Sequence, residues 1–194
     1  MLSEETVMIG ETTASTNERD ELVILVDDAG NHIGQALKSE VHSRHTPLHL
    51  AFSSYILNER RELLVTRRAL EKSAWPGVWT NSVCGHPAPG ETTADAVVRR
   101  AQQELGMRVE VLTEALPDFR YRAVDVTGVV EWEICPVFIA RAVSDPRPNS
   151  DEVCDYRWVA LSDLFSSIDA TPFAFSPWMV EQLSDPRLRS ALRG

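Results

Sequence analysis

One amphipathic helix, set among short β-type runs, constrains the fold of this chain more than any other feature. Over residues 92–105, small and apolar side chains recur at helical spacing, and Gly106 follows as a C-terminal stop. Such a stripe has to be buried against another element, and the neighbouring runs are β-like. The pattern therefore predicts an α/β layered domain rather than a helical bundle or a β-sandwich. The apolar positions of the stripe are Ala94, Val97, Val98, Ala101 and Leu105.

The β-type runs lie on both sides of this helix. An apolar run at 22–26 is separated by the turn-forming residues 27–31 from a second run at 33–38, which predicts a hairpin. Two short helices are predicted, one after Ser162 and one from Pro177, since proline is favoured in the first turn of a helix. Further strands are predicted at 48–57, 63–66, 79–83, 128–140 and 152–159.

The composition is that of a folded, acidic protein. Of 194 residues, 43% are hydrophobic, and the formal net charge of -10 argues against nonspecific binding to nucleic acid. No apolar run is long enough to span a membrane. Three cysteines at irregular spacing do not predict a disulfide framework and favour a reducing, cytoplasmic location. Residues 1–20 are acidic, polar and aperiodic, so we predict a flexible leader there and a single domain over 21–194.

The loop and helix at 85–106 carry the first candidate site. Their spacing, G-x5-E-x7-R, resembles the Nudix box, a loop–helix–loop that binds a divalent metal beside a diphosphate. In a hydrolytic box, glutamates stand at the positions of Arg100 and Gln103, so only Glu104 remains of that carboxylate cluster. The resemblance, with these losses, implies a diphosphate that is held rather than cut.

Arg100 and Glu104 lie one helical turn apart at the margin of the apolar stripe. In that position the carboxylate could hold a cation while the guanidinium pairs with phosphate oxygens. An ordinary surface salt bridge between residues four apart explains the same spacing equally well. The residues alone leave both interpretations open.

Cys84 differs in its surroundings from the other two cysteines. It follows a predicted strand and opens a loop rich in glycine and proline, a place typical of a nucleophile or an acid. Cys135 and Cys154 lie in strand-like runs, where cysteines are usually structural. Cys84 is therefore the candidate reactive thiol, and a structural role is its alternative.

Two carboxylates, Glu131 and Glu133, lie two residues apart and so on one face of a predicted strand. They could form the solvated face of an edge strand, or they could bind a metal together with nitrogen ligands. Three imidazoles with two carboxylates would suit Zn²⁺, Mn²⁺ or Fe²⁺ more than Ca²⁺. The candidate imidazoles are His42, His49 and His86, and the residues alone do not exclude His32 and His45.

Basic residues gather at one place despite the overall acidity. Arg67, Arg68 and Lys72 follow one another closely at the end of a predicted strand. An acidic protein that binds an anionic ligand needs such a local cluster of positive charge. A solvated basic loop is the ordinary alternative.

Together these segments resemble the type I isopentenyl-diphosphate isomerases of the Nudix superfamily. The resemblance runs from about Leu22 to Trp178 and is carried by LHLAFSSYILN, LLVTRRALEKSAWPGVWTNSVCGHP, PDFRYRA, GVVEWEICPVF and ATPFAFSPWM. It implies an α/β, Nudix-like layered fold, with a mixed β-sheet flanked by helices and with additional N- and C-terminal elements. It also implies a cytoplasmic isomerase of isoprenoid biosynthesis that interconverts isopentenyl diphosphate and dimethylallyl diphosphate through a tertiary carbocation.

The resemblance assigns a role to each candidate residue. The implied catalytic residues are Cys84, Glu133 and Tyr121: Glu133 and Tyr121 would serve the carbon that gains a proton, and Cys84 would remove a proton from the neighbouring carbon. The implied ligands of a first metal, Mn²⁺ or Zn²⁺, are His42, His49, His86, Glu131 and Glu133. Glu104 would bind the Mg²⁺ that accompanies the diphosphate. The implied substrate contacts are Arg68, Lys72 and Arg100 to the diphosphate, and Trp178 beside the reacting carbons.

Two other functions stay possible at this point. A Nudix hydrolase would cleave a nucleoside diphosphate derivative, but the residues at 100 and 103 and the presence of Cys84 count against it. A non-catalytic module would bind metal or diphosphate only, although the joint presence of Cys84, Glu133 and Tyr121 argues for catalysis. A small diphosphate is the predicted ligand, with no nucleic-acid or membrane partner. The oligomeric state is not predicted.

Overall fold

The computed structural model describes residues 21–194, so the leader predicted for residues 1–20 lies outside the described part of the chain. Two mixed β-sheets with helices packed on them form the architecture, which confirms the predicted α/β layered fold. None of the described helices is long and apolar enough to cross a membrane. The division into a leader and a single domain over 21–194 stays a prediction.

The smaller sheet has five strands in the order β2-β1-β3-β10-β9. Its first two strands form the predicted hairpin, antiparallel and in continuous register apart from one irregularity near Val26. The strands are β1 (Leu22–Val26), β2 (His32–Leu37), β3 (His49–Leu50), β9 (Arg120–Val124) and β10 (Val130–Ile134).

The larger sheet has seven strands. Five follow the order β12-β5-β4-β11-β8, while β6 pairs with β5 and β7 pairs with β4. Its strands are β4 (Phe52–Leu57), β5 (Glu62–Arg68), β6 (Trp79–Thr80), β7 (Val83–Gly85), β8 (Val109–Leu116), β11 (Val137–Ala142) and β12 (Val153–Ala160). The helices are α1 (Lys38–Val41), α2 (Thr93–Leu105), α3 (Leu161–Ala170), α4 (Pro177–Ser184) and α5 (Pro186–Arg193), and a 3₁₀ turn spans Pro172–Ala174.

Strand β4 shows why the larger sheet is buried on both faces. All six of its residues are buried, and because side chains alternate between faces, it contributes to two cores. Phe52 and Ile56 pack with α2 on one side. Tyr55 and Leu57 pack on the other side, in a core that includes residues of β9 and of the C-terminal helices.

Helix α2 begins and ends at residues suited to those places. The side chain of Thr92 accepts a hydrogen bond from the backbone of Asp95, and Gly106 closes the helix in the left-handed conformation. The buried stripe differs from the predicted one, since Val98 is 42% exposed while Ala96 is fully buried. The buried stripe is rotated towards Arg100. The side chain of Arg100 is itself buried and forms an ion pair with Glu104.

Three predicted strands are wrong in their continuity. The run at 48–57 is divided into β3 and β4, the run at 79–83 into β6 and β7, and the run at 128–140 into β10 and β11. Pro136 explains the last division, because proline has no N–H to continue the ladder. Its carbonyl instead accepts from Ser53, and that of Ile134 accepts from Ala51.

The division between β3 and β4 lies beside the division between β10 and β11. Strand β10 runs parallel to β3 in the smaller sheet, and β11 runs parallel to β4 in the larger sheet. The two chain segments therefore cross from one sheet to the other side by side. This double crossing places the C-terminal part of β10 next to the β3–β4 junction, where the candidate site lies.

Replacement of Gly106 by alanine should destabilise the fold more than replacement of Gly90. Both glycines have positive φ, 58° and 83°. Alanine should therefore cost about 1–2 kcal/mol at either position. At Gly106 the new Cβ would also lie 2.7 Å from the carbonyl oxygen of Arg147, whereas at Gly90 no atom of the described chain lies within 4 Å. We expect urea denaturation to show a further loss of about 1 kcal/mol or more for Gly106→Ala. Equal losses in the two variants would contradict a steric role for the contact with Arg147.

Candidate active site

A row of side chains across three neighbouring strands forms the base of the site. In β10, Glu133 is paired in register with Tyr121 of β9 on one side and with His49 of β3 on the other. Directly opposed residues share a face of the sheet, and Glu131 shares it because it lies two residues from Glu133. The predicted carboxylate pair is therefore confirmed to lie on one face, and that face is buried.

Three histidines surround Glu133. His42 follows α1, His49 lies in β3 and His86 follows β7, so three distant segments of the chain meet here. One ligand atom from each of these histidines and from Glu133 can be chosen such that all lie within 4.8 Å of one another. His49 Nε2 lies 3.3 Å from Glu133 Oε1 and His86 Nε2 lies 3.4 Å from it.

Several ring nitrogens of this cluster are buried without a hydrogen-bond partner among the described residues. They are His42 Nε2, His49 Nε2 and both nitrogens of His86. His49 is oriented through its other nitrogen, Nδ1, which lies 2.9 Å from the carbonyl oxygen of Pro47. Buried polar atoms are nearly always paired, so a set of converging unpaired nitrogens beside a carboxylate fits a bound cation.

Although burial opposes it, the carboxylate of Glu133 raises the pKa of His49 above its ordinary value, whereas burial dominates at the other two imidazoles. Burial lowers the pKa of His42 to about 4 and that of His86 to about 3, so both are neutral near pH 7. Although burial opposes its ionisation, the nearby ring nitrogens of His49 and His86 keep the pKa of Glu133 well below its usual range. Two neutral imidazoles and an ionised carboxylate are the protonation states that a metal ligand needs.

Glu131, the remaining predicted ligand, has a different partner. Its Oε2 accepts a hydrogen bond of 2.5 Å from the hydroxyl of Tyr121. Burial and the nearby charge of Glu133 raise the pKa of Glu131 to about 7. Tyr121 is thus placed beside the catalytic candidates, but its proton is directed to Glu131 rather than to Glu133.

The candidate thiol lies on the larger sheet, opposite this row. Cys84 in β7 is paired with Ser53 of β4. Its Sγ donates to Asn81 Oδ1 over 3.1 Å and lies 3.5 Å from Ser53 Oγ. Burial raises the pKa of the Cys84 thiol to about 12, which keeps it protonated in the protein without ligands.

One cavity of about 510 Å³ connects these groups. Every residue to which the resemblance assigns a role lines it except His49, which is fully buried. The lining candidates are His42, Arg68, Lys72, Cys84, His86, Arg100, Glu104, Tyr121, Glu131, Glu133 and Trp178. His32 and His45, which the sequence could not exclude, are exposed and do not line it.

Ionic groups gather in another part of the cavity. Arg100 is only 4% exposed, and its Nη2 lies 2.7 Å from Glu104 and 3.2 Å from Glu152. Although burial opposes it, the charges of these carboxylates and of Glu21 hold the pKa of Arg100 above its ordinary value. Lys72 forms an ion pair with Glu152. Arg100 and Glu104 thus form the ion pair between residues four apart that the sequence allowed, but the pair is buried rather than on the surface.

Aromatic rings form a third part of the lining. The ring of Trp178 lies 5.4 Å from that of Trp75 in an edge-on arrangement and 5.8 Å from that of Tyr121. The guanidinium of Arg68 lies 5.6 Å from the centre of the Trp178 ring, and its Nη2 donates to the carbonyl oxygen of Ala74. Trp178 is positioned by the start of α4, where Pro177 occupies the predicted first turn.

Four residues of the site were missed from the sequence. Lys38, Asn81 and Glu152 line the cavity, and Trp75 packs on Trp178. Lys38 had a usable signal, since it and Lys72 are the only lysines in the sequence. Asn81 lies within the TNSVCGH stretch, but nothing in its residue type points to a site. Glu152 is brought to the cavity by folding, which places it beside Arg100, and no local sequence pattern indicates this contact.

Comparison with known proteins identifies the relatives of this chain. The sequence pattern of the NUDIX domain matches residues 47–179. The chain is 59% identical over 177 residues to an isopentenyl-diphosphate Delta-isomerase of Corynebacterium glutamicum, with 89% of this chain and 94% of the relative covered. It is 53% identical over 178 residues to a protein of the same name from Kocuria rhizophila, covering 92% of this chain and 99% of that one.

Solved structures agree with the fold. A Deinococcus radiodurans structure matches with a TM-score of 0.63 at 21% identity and covers 84% of this chain and 98% of its own. The MutT protein of Methanosarcina mazei matches with a TM-score of 0.58 at 20% identity, covering 76% and 94%. At these identities the likeness concerns the fold alone. From the sequence relatives, the chain belongs to the Nudix family and, within it, to the isopentenyl-diphosphate Delta-isomerases.

Proposed function

We propose that this protein interconverts isopentenyl diphosphate and dimethylallyl diphosphate, a step of isoprenoid biosynthesis. The observation that carries the proposal is the placement of a thiol and a carboxylate on strands of different sheets, with both lining one cavity. Moving a double bond along a carbon chain requires one proton to be added and another to be removed. Cys84 and Glu133 supply two such groups on separate walls.

The chemistry starts from an unactivated alkene. A proton added to the terminal methylene carbon leaves a tertiary carbocation, and removal of a proton from the neighbouring CH₂ forms the new double bond. One of the two residues carries the first proton and the other accepts the second, so each turnover moves a proton from one residue to the other. In the reverse reaction the two roles exchange.

The protonation states of the protein without ligands bear on this assignment. The resemblance gave the donor role to Glu133 with Tyr121 and the acceptor role to Cys84. In the structure, Cys84 is the protonated member and Glu133 the ionised one, which supports the opposite direction. Tyr121 is hydrogen-bonded to Glu131, so Glu131 belongs with the proton-transfer groups as a second carboxyl.

The surrounding side chains suit a cationic intermediate. The face of an indole attracts positive charge, and Trp178 lines the cavity together with the ring of Tyr121. Trp178 is 1% exposed, so its contacts keep solvent away from that wall. Exclusion of water matters here, because water would capture a tertiary carbocation as an alcohol.

The basic side of the cavity suits a diphosphate. Arg68, Lys72 and Arg100 line it, and an arginine can form two parallel hydrogen bonds with phosphate oxygens. We propose that Glu104 binds Mg²⁺ together with the diphosphate. Glu104 is held by Arg100, and the Gln103 amide oxygen also accepts from Arg99 and Arg100. Because Arg100 and Gln103 stand where the resemblance places carboxylates in a hydrolytic box, this arrangement favours holding a diphosphate over activating water to cleave it.

We propose that His42, His49, His86 and Glu133, with Glu131 as a fifth ligand, bind Zn²⁺ or Mn²⁺. The unpaired buried nitrogens and the mixed nitrogen and oxygen donor set support this proposal. A divalent cation held there would fix the orientation of Glu133 and tune its basicity. Strand pairing with His49 and Tyr121 already holds Glu133 in place on the sheet.

A cytoplasmic location is also a proposal. Cys84, Cys135 and Cys154 are free thiols in the structure. Free thiols fit a reducing compartment, where disulfides rarely persist.

The histidine cluster can be tested by the metal content of matched variants. We expect the purified protein to hold about one Zn²⁺ or Mn²⁺ per chain, since these ligands converge on one point. His49→Asn should abolish this binding, because it removes a buried ligand. His45→Asn should retain it, because His45 is exposed and only three positions from His42 in sequence. Metal content is measured by plasma mass spectrometry after dialysis, and full retention in His49→Asn would contradict the site.

The isomerase activity can be tested in D₂O. With isopentenyl diphosphate and Mg²⁺, NMR should show dimethylallyl diphosphate that carries deuterium. Cys84→Ala should lower kcat by roughly 10²- to 10⁴-fold, the usual range for loss of a general acid or base. Cys154→Ala is the matched control and should stay near the wild-type value, because that cysteine is exposed.

The same experiment tests the rival functions. Release of phosphate from a nucleoside diphosphate derivative, with no allylic product, would identify a hydrolase. Binding of isopentenyl diphosphate without turnover would identify a binding module. Full turnover by Cys84→Ala would remove the thiol from the mechanism while leaving the activity itself in place.

Two neighbouring arginines test the diphosphate site. Arg68 lines the cavity, whereas Arg67 is exposed on the adjacent position of β5. Arg68→Gln should raise KM for isopentenyl diphosphate by roughly tenfold or more, as expected from loss of a hydrogen bond to a charged group. Arg67→Gln should change KM by less than about twofold, since this exposed side chain does not line the cavity. Equal effects in steady-state kinetics would contradict a specific role for Arg68.

A further inference from the structure

We propose that Asn81 is a positioning residue that fixes the thiol of Cys84 and the indole of Trp178 relative to each other on the cavity wall. The inference rests on the isomerase activity proposed above and assigns a role within that same site. Asn81 is fully buried and lies between β6 and β7. Its Oδ1 accepts from Cys84 Sγ over 3.1 Å and from Trp178 Nε1 over 3.0 Å.

The orientation of the Asn81 amide follows from its neighbours. Its Nδ2 lies 3.1 Å from the carbonyl oxygen of Ser54 and 3.0 Å from that of Val83, and carbonyl oxygens only accept. The indole N–H of Trp178 only donates, so it requires the oxygen end of the amide. A flipped amide would break all three hydrogen bonds. The oxygen of Asn81 therefore faces the thiol.

The Asn81 oxygen thus connects two residues, Cys84 and Trp178, that lie far apart in the sequence. Cys84 belongs to the larger sheet, and Trp178 belongs to α4. Two hydrogen bonds to the same atom limit the distance between the sulfur and the indole nitrogen and fix the rotation of both side chains. For a reaction in which a proton leaves one carbon while the adjacent cation lies against a ring, this relative placement decides the geometry.

The network that holds Asn81 is itself rigid. Thr80 Oγ1 also donates to Asn81 Oδ1 over 2.9 Å and lies 2.7 Å from the hydroxyl of Ser176, the residue before α4. Three donors meet an oxygen that has two lone pairs, so it has no capacity left for substrate or water. Asn81 consequently acts through Cys84 and Trp178 rather than by touching the substrate.

A buried asparagine could instead stabilise the fold alone, and a neighbouring residue separates the two roles. Ser82 is equally buried, accepts from the backbone N–H of Ile56 over 2.8 Å and donates to the carbonyl of Leu64 over 2.6 Å. Among the described residues, its side chain forms no hydrogen bond to the thiol or the indole. Ser82→Ala therefore removes a buried hydrogen-bonding group next to Asn81 while leaving Cys84 and Trp178 in place.

The experiment compares Asn81→Ser, Asn81→Ala and Ser82→Ala with the wild type in the D₂O isomerase assay and in thermal denaturation. Serine is included because its small hydroxyl can still bond to a neighbour where alanine leaves several buried groups unpaired. We expect the Asn81 variants to lose roughly 100-fold in kcat with KM changed less than about threefold, since misplacement of about 1 Å has effects of this size. Ser82→Ala should lose thermal stability but keep kcat within about threefold.

The proposal is overturned if kcat of folded Asn81→Ser stays within about threefold of the wild type. It is also overturned if Ser82→Ala loses kcat as strongly as the Asn81 variants, because the effect would then follow from stability alone. Retention of substrate binding with loss of kcat, confined to the Asn81 variants, supports it.

A second measurement does not depend on turnover or on the stability of the alanine variant. In protein labelled with ¹⁵N at tryptophan, the indole N–H resonance of Trp178 is assigned by its absence from Trp178→Phe. In Asn81→Ser this resonance should shift and exchange faster with solvent, and it should not change in Ser82→Ala. An unchanged resonance in Asn81→Ser overturns the positioning role. If the wild type does not isomerise but the resonance behaves as expected, the proposed function fails while the link between Asn81 and Trp178 stands.

Discussion

The side-by-side crossing of two strand pairs between the sheets is the constraint on which the site depends. Strands β3 and β4 are divided at Ala51, and β10 and β11 are divided at Cys135 and Pro136, so both segments change sheet together. Backbone hydrogen bonds from Ala51 and Ser53 keep the segments in contact through the crossing. Because Glu133 lies just before this point and β7 pairs with β4 just after it, the carboxylate and the thiol of Cys84 come from different sheets yet face one cavity.

Buried charge is the main energetic difficulty of this structure. Glu104, Glu131, Glu133 and Glu152 are each less than 10% exposed, in a chain whose net charge is already -10. Ionised groups are costly to bury unless they are paired, which explains the dense contacts around Arg100 and the converging histidines at Glu133. If a cation and a diphosphate with Mg²⁺ bind as proposed, they would replace ion pairs that already hold these side chains in place.

How much could be predicted from the sequence depended on whether a feature is local. Helix α2, with its cap at Thr92 and its stop at Gly106, is encoded within its own segment and was predicted within one residue at its start. The strand breaks were missed because apolar runs look continuous, although Pro136 was a readable signal. The meeting of His42, His49 and His86 came from family resemblance, since no local pattern brings three separate segments together. Asn81 and Glu152 were missed because their roles arise from contacts that exist only in the folded chain.

The helix that defines this family also shows how one scaffold can serve a different reaction. At residue 100, where the resemblance places a carboxylate in a hydrolytic box, this chain has an arginine that lies between Glu104 and Glu152. In the proposed function, the diphosphate is anchored there while chemistry occurs at the hydrocarbon end, between Cys84, Glu133 and Trp178, which line the same cavity. Anchoring at one end makes placement at the other end critical, because a hydrocarbon offers no polar atoms to orient it. The rigid hydrogen-bond network behind the thiol and the indole supplies that placement from the protein side.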